Sequence, residues 1–476
     1  MLEENVADIP TIEEAAKRAF KIGMGPFMLM NVTGIPIAVH AATTLGEELG
    51  PFYAPCDLLK DQKEKGVNWD LVGDADESKI QPVMERFYGV SLGVAAALVG
   101  EGVASIEDTD RGAKIGLRWI MGPFEIMNKI GIETTYSTVK SIVDKYPDFD
   151  MPEILTRQKK AAQPFTFRVV DLDIKNDKAL ITINRPEAMN SLNEAVVSQL
   201  SEKFSEAESN PAVKAIVFQG AGKAFVAGAD IRYFASKIKE DKIPEIVEFT
   251  RKGHELLMQI ENSPKLTIAL LDGLSLGGGS ELALSCQAIV ATPAGSMGFP
   301  ETSIGIYPGL GGMLRLARHV GPALAKYYVF TGSPITAESA HALGIVDRLV
   351  APADVDGALN ELIEKGKPDK YRQRDIPANY KILSDLGSPE NVARLLSGKQ
   401  PQVTDDALAS KTTKMIGYKA PIALKVANDI IDQQMGQSMT EAVEIELGKL
   451  QEIFSTADAL EGLTSVGRRR PEFKGT

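Results

Sequence analysis

The sequence predicts a two-part, multidomain protein: an all-α N-terminal region built from a tandem repeat, then an α/β domain. Two observations carry this. Met24-Gly-Pro-Phe27 recurs as Met121-Gly-Pro-Phe124, and Asn31-x-x-Gly34-Ile35 recurs as Asn128-x-x-Gly131-Ile132, both at an offset of 97, which marks two copies of one supersecondary unit. Beyond about residue 165 the hydrophobic period changes, and short β-branched runs alternate with longer helical stretches, the pattern of an α/β domain.

Taken in chain order, Thr11-Ile-Glu-Glu14 and Ser105-Ile-Glu-Asp108 each read as a Ser/Thr cap opening an acidic first helical turn. The second copy carries a leading helix, Pro82 to Gly100, whereas the first opens close to its cap, as in a chain cut at its N-terminus. The copies fill residues 1–75 and 76–160. Pro147 to Pro164 mixes Pro, Lys and polar residues and reads as a linker. Strands are expected at Val169–Leu172, Ala179–Ile183, Ala215–Phe218, Leu266–Leu271 and Ala288–Ala291, with a helix at Ile243–Glu261, in a domain spanning 166–476. Residues 352–410 read as a polar insertion with a basic knot at Lys365–Arg374, and Ser438-x-x-Glu441 is a capping box opening a later helix.

Composition narrows the function. Fifty-two Lys plus Arg against 64 Asp plus Glu leave a net charge of -12, which disfavours a nucleic-acid partner. An anionic ligand must then be met locally, by a few basic side chains or by helix N-termini. Two cysteines, Cys56 and Cys286, give neither a disulfide framework nor a zinc spacing. No run reaches the ~18 apolar residues of a membrane span, and the acidic start is no signal peptide. We expect a cytoplasmic protein with no membrane partner and no metal.

The chemistry concentrates in Leu271-Asp-Gly-Leu-Ser-Leu-Gly-Gly-Gly-Ser-Glu-Leu-Ala-Leu284. A strand runs into three glycines and then into a helix, so Gly277 to Gly279 lie where unpaired N–H groups and the helix dipole favour an oxyanion or phosphate. A Rossmann fingerprint is excluded, because the GxG pairs at Gly220, Gly277 and Gly309 lack the sixth-position Gly or Ala. Gly273-Leu-Ser275-Leu-Gly277 also fits a nucleophile elbow, which would need Glu301 or Glu338 with His319 or His341. Glu281 and Glu301 are better candidates. Each sits beside glycine-rich backbone, where a desolvated carboxylate pair can divide acid and base roles. Lys223-Ala-Phe-Val-Ala-Gly-Ala-Asp-Ile231 offers a further backbone donor.

These motifs, with Ile183-Asn-Arg-Pro186, Asn190-Ser-Leu192, Pro300-Glu301 and Tyr307-Pro-Gly-Leu-Gly-Gly312, resemble the crotonase (enoyl-CoA hydratase) family in order and spacing, over about residues 166–476. The resemblance implies an α/β spiral of the ClpP/crotonase type and hydration of a trans-2-enoyl-CoA (crotonyl-CoA) across C2=C3. It implies an oxyanion hole from the N–H groups of Ala227 and Gly278, Glu281 and Glu301 as catalytic residues, and Gly228, Ala229, Asp230, Gly309 and Arg468 against the substrate. Phe299 stands where a hydratase often has Gln, two positions before the second glutamate. Residues 1 to about 160 resemble a tandem pair of 3-hydroxyacyl-CoA dehydrogenase C-terminal domains, through Glu101-Gly-Val-Ala-Ser105, Glu107-Asp108 and Met121-Gly-Pro-Phe124. The whole resembles the fused archaeal hydratase/dehydrogenases without their NAD-binding Rossmann domain, so dehydrogenase activity is not expected from this chain. No cofactor is expected beyond the CoA carried by the substrate. The resemblance also implies a homotrimer or a multiple of it, with Ile422, Ile430, Ile431, Leu447 and Leu450 covered by a neighbour. An enoyl-CoA isomerase, the Ser275 hydrolase and a non-catalytic acyl-CoA scaffold are the alternatives.

Overall fold

A computed structural model of the chain describes residues 1–371 and 375–476, so the last three residues of the basic knot lie outside the described residues. The chain divides into two units, Met1–Phe167 and Arg168–Thr476.

The first unit is helical and its repeat is structural. Helices Ile9–Phe20, Pro26–Thr33, Ile35–Leu49 and Asp57–Lys65 are followed by the long helix Glu77–Gly100 and then by Ile106–Gly116, Pro123–Ile130, Ile132–Lys145 and Glu153–Ala161. The recurring Met-Gly-Pro-Phe is explained by an acid at the same offset. The Glu13 carboxylate accepts from the N–H groups of Gly25, Phe27 and Met28 at 3.2, 2.6 and 3.2 Å, and Asp110 accepts from Phe124 and Glu125 at 2.7 and 2.9 Å. These are the unpaired donors of a helix start, and proline there has no N–H to satisfy. A Cβ at Gly25 would lie 2.7 Å from Glu13, and one at Gly122 would lie 2.2 Å from Asp110, so only glycine admits the acid. Asn31 likewise brackets Trp69 N and O (2.8 and 2.9 Å), as Asn128 brackets Phe165 (2.7 and 2.8 Å).

Three expectations change in this unit. Ser105 does cap its helix, but its counterpart at the offset of 97 is Asp8, which accepts from Thr11 N at 3.0 Å. Thr11 lies inside the helix, buried. The stretch read as a linker contains the helix Glu153–Ala161 with Leu155 fully buried, because its apolar side chains complete the second core. The leading helix starts at Glu77, capped by Asp76. By length and composition it could cross a membrane, with a mean hydropathy of 1.3 over 18 residues. Here it is the central helix, packed on Ile9–Phe20 and Ile132–Lys145.

In the second unit the strands are β1 (Val170–Lys175), β2 (Lys178–Ile183), β3 (Ala215–Gly220), β4 (Ala224–Ala227), β5 (Leu266–Leu271), β6 (Leu274–Leu276), β7 (Ala288–Ala291), β8 (Ser296–Gly298), β9 (Ile335–Thr336) and β10 (Arg348–Leu349). They form a six-stranded sheet in the order β1-β2-β3-β5-β7-β10 and a four-stranded sheet in the order β4-β6-β8-β9. Each pass of the chain, β3 to β4, β5 to β6 and β7 to β8, gives one strand to each sheet, and the passes stack in parallel. The result is a spiral. Ile216, Phe218, Ala269, Leu271, Ile289 and Ala291 face the main core, while Ala215, Val217, Leu266, Ile268, Ala288 and Val290 face a second cluster with Ala358, Leu359 and Leu362. Burial on both faces is why these strands read as continuous apolar runs.

Two further expectations change. Residues 352–410 are no loose insertion, for the helix Val355–Lys365 supplies that second cluster and Pro389–Leu396 joins the main core. The helices Pro421–Gln434, Met439–Leu447, Leu450–Phe454 and Ala457–Ser465 fold onto their own chain. Ile430, Ile431, Leu447 and Leu450 are buried there and Ile422 packs on the same core, so these side chains present no apolar surface that needs a neighbour.

Candidate active site

The site forms where the spiral's small sheet ends. Strands β4 and β6 pair in parallel with Ala227 opposite Leu276. Two residues further along each strand the same register leads to Ala229 and Gly278. Gly277 caps the helix Gly278–Ser285 with φ +46°, a conformation that side chains other than glycine rarely adopt. A Cβ at Gly279 would meet Val226 O at 2.0 Å, so the third glycine lets the helix start sit on β4. Gly278 opens the helix, and its N–H has no intrahelical partner.

The second backbone donor is not the expected one. Ala227 N–H is spent on Met189 O at 3.0 Å. Ala229 forms an isolated parallel bridge with Leu192. In that bridge Leu192 N–H donates to Gly228 O (2.9 Å) and Asp230 N–H to Leu192 O (2.8 Å), which leaves Ala229 N–H with no partner among the described residues. The pair of free donors is therefore Ala229 and Gly278. Reading the motif alone missed this by two residues, because along a strand a donor that is paired and one that is free look alike in sequence, and the register was the signal that could have distinguished them.

Glu281, in the first turn of the same helix, is 1% exposed. Its Oε1 accepts from Leu310 N–H at 2.7 Å and Gly312 N–H at 2.9 Å. A Cβ at Gly312 would lie 2.6 Å from Glu281 Cγ and 2.7 Å from Phe299 Cε1. The Tyr307-to-Gly312 motif is thus a carboxylate clamp, and the buried Phe299 ring packs against it at Gly312. Burial pushes the Glu281 carboxyl up to about 8, the nearby Glu446 carboxylate adds to this, and the two N–H groups oppose it. Glu301 begins the 3-10 turn Glu301–Ile304 and is buried. Its Oε1 lies 2.3 Å from where a Cβ on Gly277 would stand, and its Oε2 is buried with no protein partner. Burial raises its carboxyl well above the ordinary range, and Glu281 raises it further.

Glu446, on the helix Met439–Leu447, is a third buried carboxylate that the sequence did not signal. It accepts from Gly311 N–H at 2.7 Å, between the two N–H groups that hold Glu281. His254 Nε2 lies 3.2 Å from it, close but off line for a hydrogen bond. On the far side of the loop Arg315 donates to Leu310 O at 3.0 Å and pairs with Glu261.

The remaining expected residues sort plainly. Asp230 is clamped by Arg185 and Arg232 at 3.0 Å and caps the helix Ile231–Lys239, so it shapes the loop and its carboxylate is not free for substrate. Asn190 pins the turn between β3 and β4 through Ala221 O, Ala224 O and Arg185 N. Gly228 supplies the carbonyl that Leu192 N–H uses, and Gly309 is a half-exposed residue leading into the clamp. Arg468 is exposed beyond the helix Ala457–Ser465. That helix abuts the Glu301 turn: a Cβ on Gly462 would lie 2.2 Å from Ile304 backbone, and one on Gly305 would lie 2.2 Å from Asp458 O. Ser275 is no nucleophile, since it is fully buried in mid-strand with no partner for its Oγ, while His341 Nδ1 faces Val346 O at 3.0 Å.

Comparison with known proteins gives the family. The family model described as enoyl-CoA hydratase/isomerase matches residues 178–474, and the model of the 3-hydroxyacyl-CoA dehydrogenase C-terminal domain matches residues 1–72 and 83–165. The chain is 30% identical over 302 residues to the short-chain-enoyl-CoA hydratase of Clostridium acetobutylicum, covering 63% of this chain and 95% of that protein. It is 37% identical over 228 residues to the crotonyl-CoA hydratase of Syntrophomonas wolfei, covering 45% and 86%. A solved enoyl-CoA hydratase from Rhodobacter sphaeroides superposes with a TM-score of 0.56 at 25% identity, covering 65% of this chain and 93% of that one. With its spiral of paired strands, its glycine-rich helix start and its two buried glutamates, the chain belongs to the enoyl-CoA hydratase/isomerase family.

Proposed function

We propose that the chain hydrates a short-chain trans-2-enoyl-CoA, adding water across C2=C3 to give the 3-hydroxyacyl-CoA. The observation that carries this is the placing of two desolvated carboxylates beside adjacent glycines, next to two free N–H donors. Negative charge building on the thioester oxygen is met by Ala229 and Gly278 N–H, each donor being worth about 3 kcal/mol to the transition state. Glu281 is the base for the attacking water, because its two backbone bonds stabilise the ionised form. Glu301, with an unpartnered oxygen and no such support, holds its proton longer and gives it to C2. A coupled pair shares these steps as a unit. The reaction breaks the C2=C3 π bond and an O–H bond of water and forms C3–O and C2–H bonds, with no net redox change, so we propose no metal or redox cofactor. The CoA phosphates are assigned to the basic tail at Arg468. The trimer, and a cytoplasmic setting, rest on the resemblance and on composition.

The test is loss of the conjugated enoyl-thioester absorbance of crotonyl-CoA. Glu281→Gln and Glu301→Gln should each lower turnover at least ~10²-fold with little change in melting temperature, and Ser275→Ala should leave it largely intact. Near-normal turnover in either glutamine variant would remove the assigned roles. Isomerisation of a 3-enoyl-CoA without hydration would favour the isomerase.

A further inference from the structure

Leu310 is fixed by its backbone beside the buried carboxylates. Its N–H donates to Glu281 Oε1 at 2.7 Å, and its carbonyl accepts from the buried Arg315 guanidinium at 3.0 Å. With both main-chain groups held, the side chain keeps only the choice of its own rotamers. One of its methyls, Cδ2, lies 2.6 Å from where a Cβ on Gly253 would stand. Gly253 is buried inside the helix Ile243–Asn262, a position where glycine is less stable than alanine, and the space it leaves is the seat of Leu310.

The other methyl faces the chemistry. A Cβ on Gly278 would lie 3.4 Å from Leu310 Cδ1, 3.0 Å from Leu192 Cδ1 and 3.9 Å from Glu281 Oε2. Both backbone bonds to Glu281 fall on Oε1, so Oε2 is the oxygen left for the water, and it shares this small region with two leucine methyls. Gly278 N–H is one of the two donors assigned to the thioester oxygen. An enoyl group held there brings C3 toward Glu281 and carries its C4 methyl onward, away from the sulfur, into the space that the leucines bound. Leu192 is buried in the core, whereas Leu310 is half-buried and borders open space.

We propose that Leu310 sets the acyl-chain length. Seated on Gly253, it closes the acyl end of the site just past C4, so the substrate class is a four-carbon enoyl thioester and longer chains are turned away. The inference rests on the hydratase reading and adds the residue that selects among its substrates.

The test follows kcat and KM of the full chain on crotonyl-CoA, trans-2-hexenoyl-CoA and trans-2-octenoyl-CoA by loss of the enoyl-thioester absorbance. One methylene in an apolar pocket is worth about 10- to 200-fold in discrimination, so the parent should prefer crotonyl-CoA to octenoyl-CoA at least ~10²-fold in kcat/KM. Leu310→Ala keeps the N–H that holds Glu281 but empties the seat, and should raise the octenoyl-to-crotonyl ratio at least ~10-fold, mainly through KM. The milder Leu310→Val should do the same for hexenoyl-CoA. Gly253→Ala acts in the opposite sense: its Cβ drives the leucine toward Gly278 and should lower kcat for crotonyl-CoA. Combining Gly253→Ala with Leu310→Ala should recover that rate, because the new methyl fills the emptied seat. A purely structural role would lower all chain lengths alike and allow no recovery. A parent that hydrates octenoyl-CoA as well as crotonyl-CoA, or a ratio unmoved in folded Leu310→Ala and Leu310→Val, overturns the assignment and leaves the hydratase reading in place. A parent that hydrates none of the three thioesters removes that reading, and this assignment with it.

Discussion

Glu446→Gln is the most discriminating perturbation of the site. The substitution keeps the volume and leaves an amide oxygen for Gly311 N–H, so it removes little but the charge. Glu281 Oε1 and Glu446 Oε1 are linked through the N–H groups of successive residues, at 2.9 Å to Gly312 N and 2.7 Å to Gly311 N. Adding one peptide unit, the two oxygens are no farther apart than about 9 Å. At an effective dielectric near 20 two such charges repel by about 2 kcal/mol, a little over one pKa unit. The Glu446 carboxylate raises the Glu281 carboxyl, which stands at about 8, so removing the negative neighbour makes Glu281 ionise more easily. The base works only when ionised, and turnover therefore climbs with pH through this pKa. Glu446→Gln should move that ascending limb to lower pH by about one unit, measured as hydration of crotonyl-CoA between roughly pH 5 and 10. Glu446→Ala should make the same shift but also lose rate, since Gly311 N–H is then left unpaired and the clamp loosens. A limb that stays in place in a folded Glu446→Gln protein would refute the coupling, and with it the view that three buried carboxylates share one electrostatic site.

Two other outcomes follow from the geometry. Gly277→Ala should abolish hydration while leaving a folded protein, because its Cβ would stand 2.3 Å from Glu301 Oε1 at a φ of +46°; activity within ~10-fold of the parent would contradict the placing of Glu301. Glu261, buried against Arg315 and Lys370, has its carboxyl lowered to about 2 against its burial, first by Arg315 and then by Lys370. A depressed folded pKa contributes stability above the ordinary value of 4.5 that is lost as pH falls toward 2, here on the order of 3 kcal/mol. Glu261→Gln should therefore melt well below the parent at neutral pH, and the gap should close on acidification; a gap independent of pH would remove the ion pair from the account.

Local sequence determined what local physics fixes. The repeat was legible because each copy must place a small residue under an acid and a proline at a helix start, and strands buried on both faces appeared as apolar runs with nearly their true bounds, as at Leu266–Leu271 and Ala288–Ala291. Glu281 and Glu301 stood out because each lies beside glycines that exist to admit it. Tertiary structure decided what depends on register and on distant partners. The short strands Ala224–Ala227 and Leu274–Leu276 are too brief to show a period, yet their pairing places the free backbone N–H beside Gly278 at Ala229 and not at Ala227. Glu446 stands 165 positions after Glu281 on an ordinary capped helix, and only the fold brings it behind the clamp. The apolar C-terminal residues looked like an interface because sequence cannot say which surface a helix covers, and the chain covers them itself. Periodicity reports that a side chain is buried, whereas what buries it is a property of the packed whole.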